Sequence, residues 1–92
     1  MRMVIVSVRD KKAEFFSPVY AVPTKGLAIR GFGDAIMKGG SDLSSHPEDF
    51  SLFMVGEFDQ VTGMLIPCEP VSICTGLDFS KPNYELEDEN GN

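Results

Sequence analysis

Apolar residues are grouped along this chain in runs of two kinds. Met3 to Val8 is a nearly unbroken Val/Ile run, which predicts a central strand covered on both sides. Arg9 to Lys12 reads as a charged turn, and strand-like sequence resumes from Ala13 to Phe16. Pro18 interrupts it before Val19–Val22, and proline inside such a pattern points to an edge or a bulge. Phe15 and Phe16 are expected as one core residue and one rim residue. The second kind of run is helical. Ala28, Ile29, Phe32, Ala35 and Ile36 recur at three- and four-residue spacing, so one face is apolar. Thr24 suits the N-cap, Lys38 suits the negative end of the dipole, and Gly39-Gly40 terminates the helix. Gly26, Gly31 and Gly33 each cost such a helix about 1 kcal/mol against alanine. Close packing of helix on sheet is the expected reason.

Residues 41–45 read as a polar link. The densest apolar sequence then runs from His46 to Leu65. Pro47 suits the first position of a helical turn, with Ser45 as its cap and two acids after it. Ser51 to Phe58 is strand material, and Asp59–Gly63 is turn chemistry, which predicts a central hairpin. Pro67 and Pro70 bracket Cys68-Glu69 as a rigid exposed connector. Val71–Thr75 alternates and reads as a last, edge strand ended by Gly76. The predicted fold is α+β: a small, mainly antiparallel sheet of four to five strands packed by one α-helix. Residues 1–79 form the single domain, and residues 80–92 an acidic, disordered tail.

Charge changes this picture. The chain has 92 residues and a net charge of −6, which disfavours generic nucleic-acid binding. The charge is unevenly placed. Residues 1–40 hold Arg2, Arg9, Lys11, Lys12, Lys25, Arg30 and Lys38 against three acids. Residues 41–92 hold Lys81 against eleven acids. One basic face is therefore compatible with an anionic whole. Glu85, Glu87, Asp88 and Glu89 invite two readings: a solubilising terminus, or a mimic of nucleic-acid phosphates that docks on the basic face.

Other chemistry is sparse. Cys68 and Cys74 read as two thiols in a reducing compartment. His46 is the only histidine; beside Glu48 and Asp49 it is read as a capping or solvent-facing residue, because neighbours on one turn are not expected to converge on an ion. No zinc spacing, no phosphate loop around Gly31-Phe-Gly33 and no Cys–His or paired-carboxylate arrangement stands out. The expectation is a non-enzymatic protein without metal or cofactor. No run of 18 apolar residues or export signal is present, so a cytoplasmic place is expected.

Three motifs occur in a familiar order: Ser7-Val-Arg-Asp10; Pro23-Thr-Lys-Gly-Leu-Ala-Ile-Arg-Gly-Phe-Gly-Asp34; and His46-Pro-Glu-Asp-Phe50 leading to Gly56-Glu-Phe-Asp59 and Thr62-Gly63. Together they resemble the small nonstructural protein of gokushovirus-type microviruses, tailless phages with single-stranded circular DNA. The likeness runs from about residue 3 to residue 79. It implies a protein made in the infected cell, absent from the virion, and assigned to DNA binding or to single-stranded DNA synthesis and packaging. It brings no catalytic motif.

Two functions follow as expectations. In the first, the chain contacts single-stranded DNA or the replication machinery. Arg2, Arg9, Lys11, Lys12, Lys25, Arg30 and Lys38 would supply phosphate contacts, and Phe15, Phe16 and Tyr20 base stacking. In the second, a homodimeric adaptor binds a viral or host protein through the edge of the last strand or of the Phe15–Val22 region.

Overall fold

The computed structural model describes residues 1–79, and the expected acidic tail lies outside the described residues. Strands β1 (Arg2–Asp10), β2 (Phe15–Phe16), β3 (Tyr20–Val22), β4 (Phe50–Asp59) and β5 (Leu65–Thr75) form one antiparallel sheet. β1 and β4 are central and β5 forms one edge. β2 and β3 both pair with the far side of β1, divided at Pro18. The antiparallel five-stranded sheet and its packing helix agree with the expected fold class.

Helix α1 (Lys25–Lys38) starts where its sequence says it should. The Thr24 hydroxyl accepts from the Leu27 amide at 3.1 Å, and Gly39 closes the helix at a φ of 87°. Its apolar stripe of Ala28, Phe32 and Ile36 packs on Val6 and Leu52 to make the buried core. The polar link contains a short helix, α2 (Asp42–Ser45), because Ser41 and Ser44 cap each other reciprocally. The turn at Pro47–Asp49 is 3-10; His46, rather than Ser45, occupies its N-cap.

Three other expectations are corrected. β1 is central but covered by the helix on one face only. Alternation puts Val4, Val6 and Val8 under α1 and turns Ile5, Ser7 and Arg9 to the opposite, open face. Ser7 is nevertheless buried, because its hydroxyl donates to the Ser17 carbonyl at 2.7 Å and the Ser17 hydroxyl accepts from the Val8 amide at 3.0 Å. The connector and last strand are one strand, β5, running through both prolines. Prolines are tolerated in this edge strand, and residues 68–70 fall in a shift of register between Val71 and Pro67. Among the three helix glycines, only Gly33 meets a close neighbour. A Cβ there would lie 2.7 Å from the ring of Phe79, not from the sheet.

The β4–β5 hairpin closes on an Asp59 carboxylate that accepts from the Val61 and Thr62 amides, with Gly63 at a φ of 80°. Those two amides hold the Asp59 carboxyl below the usual range. Its contribution to stability is present above the ordinary carboxylate pKa and is lost as pH falls through the lowered one.

Both cysteines are free thiols. Burial, helped by Asp78, pushes the Cys74 thiol up to about 11. Burial, then Cys74, also raises the Tyr20 hydroxyl. Folding thus favours the neutral form of both groups. For Cys74 the stability this lends is complete below the ordinary thiol value of 9.0 and is lost as pH rises toward about 11. From about neutral pH a melting series is expected to show a flat midpoint up to about pH 8.5 and a fall above it. At about pH 8 a disulfide reagent is expected to label exposed Cys68 at least about tenfold faster than Cys74. Equal rates would contradict this.

Candidate functional site

The β1–β2 turn is built by its sequence. The Asp10 carboxylate accepts from the Lys12 and Ala13 amides, the Glu14 amide donates to the Asp10 carbonyl, and Glu14 adopts a φ of 65°. This conformation leaves Lys11 and Lys12 exposed at the tip and returns the chain so that Phe16 pairs with Arg9.

On the open face the Arg9 guanidinium lies over the Phe16 ring, 5.3 Å from its centroid. Phe16 meets Phe53 edge-to-face, with centroids 5.2 Å apart and planes at 79°. Phe53 lies opposite Ser7 in the register, which fixes it on this face. Neither Phe15 nor Phe16 is a core residue: they are 61% and 39% exposed. The group thus combines a cation and two aromatic rings on an uncovered sheet, beside the turn that carries Lys11 and Lys12; Phe15 pairs with Asp10 and so turns to the helix-covered face. Such a surface can stack unpaired bases and hold their phosphates. Base–aromatic stacking is worth about 1–3 kcal/mol per base.

The remaining expected residues lie elsewhere. Arg2 donates to Glu57 at 2.8 Å on the helix-covered face, near the hairpin. Tyr20 lies opposite Val6 and so turns to the helix-covered face as well. Lys25, Arg30 and Lys38 are exposed on α1, with Arg30 and Lys38 off its buried stripe and away from the open face. The seven cations are therefore not gathered on one surface; Arg9 alone among them lies on Phe16, while Lys11 and Lys12 are exposed on the adjoining turn, Lys12 also lining a groove on the helix side. Phe53 is the residue the sequence did not single out. Its signal was its place between Leu52 and Met54, hidden because β4 is apolar on both faces.

Acids border the site on the helix side. Asp10, Asp42, Glu48 and Asp49 line a groove with Lys12, His46 and Phe50. Contrary to expectation, the donor atoms of His46, Glu48 and Asp49 do converge, within 4.8 Å of one another on an exposed turn. His46 Nδ1 lies 3.8 Å from a Glu48 carboxylate oxygen. Four carboxylates against Lys12 make this groove acidic.

No helix among the described residues is long and apolar enough to cross a membrane. Comparison with curated proteins and with solved structures gives no match. A family model described as the phage ORF5 protein matches residues 3–79, the span that carries the sequence resemblance. The chain accordingly belongs to the phage ORF5 protein family.

Proposed function

We propose that this phage protein is a non-catalytic binder of single-stranded DNA, acting in the infected cell in genome replication or packaging, as its resemblance to the gokushovirus-type nonstructural protein implies. The observation that carries the reading is the Arg9–Phe16–Phe53 platform on the open sheet face, next to the exposed turn that carries Lys11 and Lys12. Stacking is tolerant of sequence and suits a strand without a fixed base order. Three cations rather than seven serve it, so salt sensitivity is modest. Anisotropy of a labelled oligothymidylate is expected to give micromolar binding at low salt. Its log–log salt slope is expected near about −2, the value for three phosphate contacts on a single strand. No binding at low salt would reject the reading.

A second reading, a homodimeric adaptor, draws on the other end of the same face. There Val19 and Leu65 are 59% and 67% exposed beside Ile5, Val55 and Pro67. The β5 edge itself is a poor template, since Pro67 and Pro70 remove donors from it. Light scattering separates the readings: a dimer that a Leu65→Lys substitution dissociates, with no DNA bound, favours the adaptor.

A further inference from the structure

Between the Arg9–Phe16 and Val6–Tyr20 pairs, β1 contributes two residues, Ser7 and Val8, and the chain opposite contributes three, Ser17, Pro18 and Val19. The extra residue makes a bulge, and Pro18 has no amide to give to the ladder. Two serine hydroxyls make hydrogen bonds at this break. The Ser17 amide donates to the Val8 carbonyl at 2.8 Å, as in a regular ladder. The Val8 amide, however, donates to the Ser17 hydroxyl at 3.0 Å and not to a carbonyl. The Ser17 carbonyl accepts from the Ser7 hydroxyl at 2.7 Å, and the two hydroxyl oxygens lie 3.3 Å apart. The Ser17 hydroxyl donates in turn to the Pro18 carbonyl at 3.1 Å. Ser7 is 1% exposed, the one buried polar side chain among the described residues. Central strand positions favour β-branched or aromatic residues, so what Ser7 offers this one is its hydroxyl.

This bracket adjoins the stacking platform. Ser17 directly follows Phe16, and Ser7 is the register partner of Phe53. β2 is two residues long, too short to fix a ring by its own pairing. We infer that Ser7 and Ser17 are positioning residues of the single-stranded DNA site: their hydroxyls tie the chain after Phe16 to β1 and so hold its ring edge-to-face on Phe53 and beneath the Arg9 guanidinium. The inference rests on the single-stranded DNA reading for the ligand; the ring placement stands without it. Both serines act through Phe16 and not by contact with a base. Phe16 is then in place before a base arrives, and binding does not carry the cost of ordering it. Removing the Ser17 hydroxyl leaves the Val8 amide without its acceptor, and the chain must shift, with Phe16, to supply another.

The test compares Ser17→Ala and Ser17→Thr in the full chain, each also in a Phe16→Ala background. NMR contacts between the Phe16 and Phe53 rings, recorded without DNA, are expected to vanish in Ser17→Ala and to persist in Ser17→Thr, which keeps the hydroxyl. Oligothymidylate binding is expected to weaken about fivefold in Ser17→Ala, the lower end of what one stacked base contributes, at an unchanged log–log salt slope. In the Phe16→Ala background Ser17→Ala is expected to cost nothing further. Ser7→Ala, which removes only the other hydroxyl, is expected to act in the same direction and serves where Ser17→Ala does not fold. If the rings part but neither the native chain nor any variant binds DNA, the bracket stands and the DNA reading falls. Rings that stay in contact in both alanine variants overturn the bracket and leave the DNA reading in place. An equal loss of binding with and without Phe16 also overturns it, since the serines then act on the fold as a whole and not through that ring.

Discussion

Replacing Gly76 by alanine is expected to destabilise the protein by about 3 kcal/mol, seen as a lower urea midpoint at unchanged m-value. Gly76 is buried at the start of the Gly76–Asp78 3-10 turn. A Cβ there would overlap the carbonyl oxygen of Pro47 and lie 2.7 and 2.9 Å from that residue's carbonyl carbon and Cα. All three atoms are backbone, so no rotamer change relieves the clash. The two 3-10 turns must separate, which draws Phe79 off the Phe32 ring it meets edge-to-face at 6.1 Å. Gly31→Ala is the opposite case. A Cβ meets nothing within 4 Å there, and the residue is inside α1. It is expected to stabilise by about 0.5–1 kcal/mol through lower chain entropy in the unfolded state. A harmless Gly76→Ala would mean that the turns are not in contact.

Lys11→Glu/Lys12→Glu is expected to weaken single-stranded DNA binding by about 30-fold at about 0.1 M salt, because two phosphate contacts become repulsions. The proper control is Arg30→Glu/Lys38→Glu, which changes net charge by the same amount. At that ionic strength screening acts over about 10 Å, and those residues sit on the helix surface, away from the open face. The control is expected to lose less than about threefold. Equal losses would mean that net charge, and not the turn, governs binding.

The local signals in the sequence were strong where one residue type has one job. Thr24 and Gly39 bound the helix, Ala28, Phe32 and Ile36 define its buried stripe, and Asp59 with Gly63 makes the hairpin turn. Proline was ambiguous. Pro67 and Pro70 look like a connector until β5 is known to be an edge strand, where both are tolerated. The sidedness of the sheet was hidden for a different reason. Leu52 is buried under α1 while Phe53 faces away, yet both are large and apolar, so no alternation marks the uncovered face. The clustering of seven cations in the first forty residues also misled. A helix crossing one face of a sheet puts its own outward residues on the far side from β1, so proximity in sequence became separation in space. What survives is a short basic turn next to two rings.

The most direct test is an amide NMR titration of the full chain with oligothymidylate. Shifts concentrated at Arg9, Lys11, Lys12, Phe16 and Phe53 are the predicted result. Shifts centred on Arg30 and Lys38, or none at saturating DNA, would contradict a binding platform on the open sheet face.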